Sequence, residues 1–322
     1  MRSLLKKQYL FGLVAGVIYG LLIRLIPEIQ KLSGVFEIIS FSFLIFTPIA
    51  VGAVSVYVAS KKEKLTWKKH ISISSIAMLV FLLSMFIFLL EGMVCIVLIL
   101  PVFMVASMIG GLIIGYIINY TKHSKSTLNS LLLLPLLMSP VENLLPIQQS
   151  TQQITTRIII DASAQNIFSE LATVKGIKNE ELGFSFMHFI GLPKPLEASM
   201  NGHGVGAVRT SKWEKGVSFE EKITVWNAPY QLHYKFNIPK GSIPREALDR
   251  HVELGGDYFT VVSGGYDIKI LSDNKSELTL TTLFKNKSRL QLYGNLWAKY
   301  VLSDFHYSLL KLMKGRAEKK ST

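Results

Sequence analysis

Three side chains in the second half of the chain have the chemistry to move a proton or hold an anion: Arg209, His251 and His306. His251 falls in an irregular insertion, Arg245 to Asp257, of the kind that could cover the mouth of a cavity. His306 lies two positions after Asp304 in a segment with helical spacing. The alternative is that both histidines are surface groups or hydrogen-bonded structural ones. Arg209 could anchor the acidic head of a ligand, or it could pair with a carboxylate such as Glu221. Around them stand Tyr234, Phe236, Tyr266, Tyr293, Trp297 and Tyr300, which suit either the lining of an apolar cavity or a plain core.

Other chemistries are set aside by spacing. One cysteine and scattered histidines give no local zinc ligand set, so no metal is expected. Gly202, Gly204 and Gly206 are not followed by Lys-Ser/Thr and lie in strand-like surroundings, so they do not form a phosphate loop. No Gly-x-Ser-x-Gly elbow is present, and no cofactor is expected. The single Cys95 sits in an apolar run and allows no intrachain disulfide.

The elements that must position these groups divide sharply at Leu128 to Ile147, LNSLLLLPLLMSPVENLLPI. Residues 1–147 read as a transmembrane region, with spans at about 9–27, 35–60, 71–90, 102–120 and 128–147. Each is about the length that crosses a hydrocarbon core at about 1.5 Å per residue. Gly12, Gly16 and Gly20 share one helix face, as do Gly111 and Gly115, and small residues at that spacing let a second backbone approach. Pro101 is expected to divide the run from Glu91 to Tyr120, leaving Glu91 to Leu100 as a turn or re-entrant piece. The ionisable residues near these spans (Arg24, Glu37, Glu91 and Glu142) fall near span ends, which favours a structural or interfacial role, with Glu91 the exception best placed for an intramembrane one.

The formal net charge of +13 would suit nucleic acid, but its placement argues otherwise. Ten basic residues lie in the proposed inner segments (Arg2, Lys6, Lys7, Lys61, Lys62, Lys64, Lys68, Lys69, Lys122 and Lys125), against Arg24 and Lys31 near the first outer loop. That asymmetry puts the N-terminus in the cytoplasm, in a multi-pass protein of the cell membrane. The basic, apolar start resembles a signal peptide but lacks a small-x-small cleavage site, so a retained first helix is expected. The segment 128–147 decides the side on which the rest emerges. Its nine leucines contribute roughly −0.3 to −0.6 kcal/mol each if central, against roughly +3 kcal/mol for a central carboxylate. Pro135 and Pro140 weaken it further. The balance falls narrowly on the side of crossing, which places the C-terminal half outside the cytoplasm.

Residues 148–322 read as a water-exposed α+β domain. Ile154 to Ile160 is an expected strand, and Ser163 an N-cap for a helix carrying Ile167, Phe168 and Leu171. Lys175 to Ser199 reads as irregular. Val205 to Trp213 and Phe219 to Trp226 follow as strands. From Tyr230 to Ile238 the alternation is strict, putting Leu232, Tyr234 and Phe236 on one face and His233 on the wet one. Tyr258 to Val262, Tyr266 to Leu271 and Leu278 to Phe284 supply more strands, with turns expected at Gly264-Gly265 and Asp273-Asn274. A helix from about Leu290 to Gly315 closes the chain.

The segment IIIDASAQNIFSELATV, the run Gly204 to Arg209, the segment VWNAPYQLHYKF and the terminal helix together resemble the SRPBCC superfamily, which includes START lipid-binding domains, pollen-allergen-like proteins and polyketide cyclases. The resemblance covers about Thr151 to Ala317 and rests on order and spacing. The N-terminal spans with EGMVCIVLILP are similar to bacterial membrane-attached members. The resemblance implies a helix-grip fold, in which an antiparallel sheet wraps a long helix around an apolar cavity. Three functions stay open at this point. One is membrane-tethered binding of a lipid or other hydrophobic small molecule. Another is cyclase- or hydratase-type catalysis on an apolar substrate with His251 and Arg209. The third is an assembly role, in which the spans dock a membrane-protein partner or a second copy.

Overall fold

The computed structural model describes residues 7–29, 40–121, 123–239, 241–244, 247, 255–256 and 258–321. It forms two compact units, 1–147 and 148–322.

The first unit is helical. Helix α1 (Lys7–Leu25) ends in a 3-10 turn at Ile26–Glu28; a π-helical turn at Ser42–Phe46 leads into α2 (Thr47–Ala59). Then come α3 (Trp67–Ile87), α4 (Met93–Tyr120) and α5 (Ser124–Asn143). Four segments are long and apolar enough to cross a membrane: Lys7–Glu28, Ser42–Ala59, Trp67–Ile87 and Met93–Tyr120. The expected division at Pro101 does not occur, because α4 runs through it as one helix. A proline removes one backbone bond, and the ladder on either side of it is long enough to hold the helix together. The turn before α4 is made instead at Phe88–Gly92, with Leu89 in the left-handed region at φ 55°.

Small residues set the helix spacing. A Cβ on Gly12 or Gly16 would strike Ser55 of α2, and one on Gly20 would lie 2.8 Å from the Phe81 ring. On α4, Gly110 faces the Ile49 backbone, Gly111 faces Ser74 and Gly115 faces the His70 ring. The buried charges are paired. Arg24, 1% exposed, contacts Glu91 at 2.9 Å and Glu28 at 2.8 Å, and donates to the Leu90 carbonyl. Glu37 lies outside the described residues.

Helix α5 runs the length of this bundle. Leu128 and Leu131 pack on the Tyr9–Ala59–Ile114 cluster, where α2 ends. The Tyr19 hydroxyl donates to the Leu132 carbonyl at 2.8 Å, one turn before Pro135. Leu136 meets the Phe43–Phe81–Phe103 cluster. Glu142 reaches the backbone of Phe41 and Ser42, where the second helix begins.

The second unit is a helix-grip domain. After β1 (Ser150–Ile160) come three short helices, α6 (Ala164–Ala172), α7 (Asn179–Leu182) and α8 (Phe186–Phe189). The remaining strands are β2 (Pro195–Met200), β3 (Val208–Trp213), β4 (Ser218–Asn227), β5 (Gln231–Asn237), β6 (Phe259–Ser272) and β7 (Lys275–Asn286), followed by α9 (Gln291–Ser321). The seven strands form one antiparallel sheet in the order β1-β7-β6-β5-β4-β3-β2. Its concave side packs on α9 and α6, closing a core around Ile167, Leu171, Leu232, Leu280, Leu310 and Met313. The Ser163 hydroxyl caps α6 by accepting from the Asn166 N–H.

Three expectations are corrected here. Gly264 and Gly265 make no turn but sit inside β6, paired with Tyr234 and His233 of β5. A Cβ on Gly264 would lie 2.8 Å from the Tyr234 ring, so glycine lets that ring cross the strand. The segment from Lys175 to Ser199 is not irregular throughout, since it holds α7, α8 and the edge strand β2. The strand expected from Val205 starts at Val208, after Gly204 and Gly206 turn with φ of 92° and 91°.

Candidate functional site

The register of β3 and β4 sets Arg209 directly opposite Glu221, and both side chains are buried. Residues facing each other across antiparallel strands share one face and interact. Arg209 Nε and Nη2 both bond Glu221 Oε2, while Nη1 donates to the Leu171 carbonyl in the last turn of α6. The guanidinium also lies over the Tyr234 ring at 5.1 Å and the Tyr266 ring at 5.8 Å, a favourable cation–π arrangement. Burial is the largest influence and opposes the Arg209 charge, but Glu221, Tyr266 and Tyr234 together outweigh it and the pKa rises. Burial likewise pushes the Glu221 carboxyl up, against the pull of Arg209. All three guanidinium nitrogens have protein partners, so Arg209 is committed to the pair rather than presented to a ligand.

His306 is fixed just as firmly. Its Nδ1 lies 3.1 Å from Thr156 Oγ1 on β1, and its Nε2 lies 2.8 Å from Thr282 Oγ1 on β7. Burial lowers its pKa to about 4, so the ring is neutral at pH 7 and offers one donor and one acceptor. Each hydroxyl complements one of them. The residue pins α9 to the sheet. His233 is half-exposed and bonds Asp267 at 3.0 Å, and His251 lies outside the described residues.

Two side chains of this unit, His188 and Trp297, each bury a polar atom that has no partner among the described residues. The Phe305 ring of α9 stacks on Trp213 of β3 at 4.7 Å and meets His188 of α8 edge-on at 5.9 Å. Trp213 touches Phe219, and Phe219 touches Phe236. Phe236 packs on all three apolar clusters of this unit. Asp304 accepts from the Ser185 hydroxyl and the Met187 N–H, which fastens α8 to α9. His188 Nδ1 lies 3.3 Å from the Leu192 carbonyl; a carbonyl only accepts, so Nδ1 carries the proton. Burial lowers the His188 pKa, which leaves Nε2 as a bare acceptor. That Nε2 is buried and bonded to nothing.

Two turns before Phe305, Trp297 repeats the pattern with the opposite polarity. Its Nε1–H is a buried donor without a partner. Its ring is held edge-on by Tyr293 at 6.3 Å and Tyr300 at 5.8 Å, and Tyr300 in turn meets Phe186. Buried polar groups are nearly always satisfied, so each exception asks for an explanation. The six aromatic candidates from the sequence therefore fall into separate places. Tyr234 and Tyr266 enclose the Arg209 pair, Phe236 joins the clusters, and Tyr293, Trp297 and Tyr300 form a ladder on the first half of α9. His188, Trp213 and Phe305 were not singled out by sequence. They converge from three elements, and no local spacing marks them.

No family model and no curated protein matches the chain. Among solved structures it is similar to a norcoclaurine synthase point mutant from Thalictrum flavum in complex with a transition-state analogue, at 11% identity and a TM-score of 0.36, covering 55% of this chain and 100% of that one. It is similar to the Zhui aromatase/cyclase from a Streptomyces species at 13% identity and a TM-score of 0.36, covering 54% of this chain and 97% of that one. A START superfamily protein from Mycobacterium smegmatis matches at 13% identity and a TM-score of 0.33, covering 52% of this chain and 98% of that one.

Proposed function

We propose that this chain is a multi-pass membrane protein whose C-terminal domain binds a lipid or other hydrophobic small molecule between the sheet and the first half of α9. One observation carries the reading: an unbonded buried acceptor on His188 and an unbonded buried donor on Trp297 stand among aromatic rings. An apolar molecule with a hydroxyl or carboxyl group would fill that region and satisfy either atom. The core around α6 and the C-terminal half of α9 is packed with aliphatic and aromatic side chains, which favours the first half of α9 for a ligand.

The membrane part of the reading rests on the four apolar helices. The basic residues flanking them argue for a cytoplasmic N-terminus. Helix α5 spans about 30 Å at 1.5 Å per residue and runs alongside the other helices from end to end. That course supports a fifth crossing, which sets the domain on the side opposite the N-terminus, outside the cytoplasm.

The test is mass spectrometry of the full chain purified in mild detergent. The expected result is a co-purifying species of lipid mass. Trp297→Phe removes only the N–H donor and should weaken rebinding of a fluorescent fatty acid about fivefold, since one hydrogen bond is worth about 1 kcal/mol. Protein that shows only its bare mass and binds no fatty acid after delipidation would sink the proposal.

A further inference from the structure

The opening turns of α9 carry an apolar face that the described residues of the domain leave largely open, with Tyr300 touching Phe186 at its edge. Leu292 is 90% exposed, Leu296 66% and Tyr300 47%, and a spacing of four keeps them on one side of the helix. Gln291 and Asn295 instead bond within the domain. Gln291 donates to the Gln148 carbonyl, and Asn295 accepts from the Ser150 hydroxyl and the Asn286 amide. The first turn of α9 is thus tied to the very start of the domain.

That start is close to α5 along the chain. Only residues 144–147, Leu-Leu-Pro-Ile, separate Asn143 from Gln148, a reach of at most about 18 Å fully extended. The connector is itself apolar, with Leu144 and Leu145 83% and 61% exposed. Charge agrees with position. From Leu278 to Ser303 the chain carries Lys285, Lys287, Arg289 and Lys299 and no carboxylate side chain. An apolar helix face with Trp and Tyr beside it and cations around it matches a bilayer interface, where aromatics sit at headgroup level and Lys and Arg meet anionic lipid.

We infer that the face formed by Leu292, Leu296 and Tyr300 docks on the lipid bilayer surface. The inference rests on the reading of α1 to α4 as membrane helices, but not on what the domain binds. Docking sets the helix about 5–10 Å into the boundary between headgroups and acyl chains, which turns the Trp297 end of the domain toward the lipid.

The test uses the full chain with Cys95→Ala, carrying one of three exposed substitutions labelled with a polarity-sensitive dye: Leu83→Cys on α3, Leu296→Cys, or Asn274→Cys. Asn274 lies in the β6–β7 turn, beside Lys275 and its partner Asp161 at the far end of β1. The protein is reconstituted in vesicles of phosphatidylcholine and phosphatidylglycerol with spin-labelled lipid as quencher. Loss of fluorescence at positions 83 and 296, with none at 274, is the expected result. Quenching at 83 alone, or equal quenching at 296 and 274, overturns the inference while leaving the membrane reading intact. No quenching at 83 overturns the membrane reading and this inference with it. A label at 296 that is shielded but unquenched points to a second copy on this face and likewise overturns it.

Discussion

The Glu142 carboxylate of α5 accepts from the backbone N–H of Ser42 at 2.9 Å and from its hydroxyl at 2.7 Å, capping the second helix from 100 positions away. A carboxylate at a helix N-terminus meets the positive end of the helix dipole as well as unpaired N–H groups. Glu142→Ala should therefore lower stability by about 1–2 kcal/mol, the upper range for a lost cap, read as a lower unfolding midpoint in detergent. Glu142→Gln, which keeps an acceptor, should lose less.

The course of α5 makes a sharper prediction about sidedness. Cysteines placed at Lys61 and at Asn274 should react with an impermeant thiol reagent from opposite faces of sealed, oriented vesicles. Reaction of both from one face would rule out the fifth crossing.

Arg209 and Glu221 test the closed polar pair. Removing one partner leaves a buried charge alone, which costs about 3–5 kcal/mol, whereas replacing both by apolar residues of similar volume is often neutral or stabilising. Arg209→Met and Glu221→Leu should each destabilise the domain strongly, and the double variant should recover most of the loss. A double variant as unstable as the sum of the singles would mean that the pair does more than satisfy itself.

His306 predicts a pH response. Its folded pKa is lowered to about 4 from 6.5, so between those values the unfolded chain binds more protons. Stability is then full above about pH 6.5 and falls as pH drops toward 4, by about 3 kcal/mol in total. Hydrogen exchange at Thr156 and Thr282 should accelerate over that window, and His306→Gln should flatten the response.

Two glycines in helices should respond in opposite directions. Gly110→Ala drives a Cβ into the Ile49 backbone and should destabilise the bundle by about 1–3 kcal/mol. Gly315 in α9 has open space around its Cβ position, so Gly315→Ala should stabilise by about 0.5–1 kcal/mol. Thermal melts of the two variants against the parent would decide both.

What was legible in the sequence was what repeats. The alternation from Tyr230 to Ile238 marked β5, which runs from Gln231 to Asn237, and Ser163 marked the start of α6. Short elements escaped, since α8 and β2 are four and six residues long, too few for a period to declare itself. Gly264-Gly265 was misleading because a turn and a ring-crossing strand call for the same residue. The site was the least legible part. His188, Trp213 and Phe305 have no spacing in common, and their meeting depends on Asp304 drawing α8 onto α9.

The four-residue link between α5 and the first strand has a kinetic meaning. Given a bilayer around the helices of the first unit, a domain held that short a distance from it would not search for the surface by diffusion in solution. Short tethers raise the effective concentration of the second contact to about the millimolar range. Under the proposed docking, a surface contact too weak to be detected between separate molecules would then be populated most of the time.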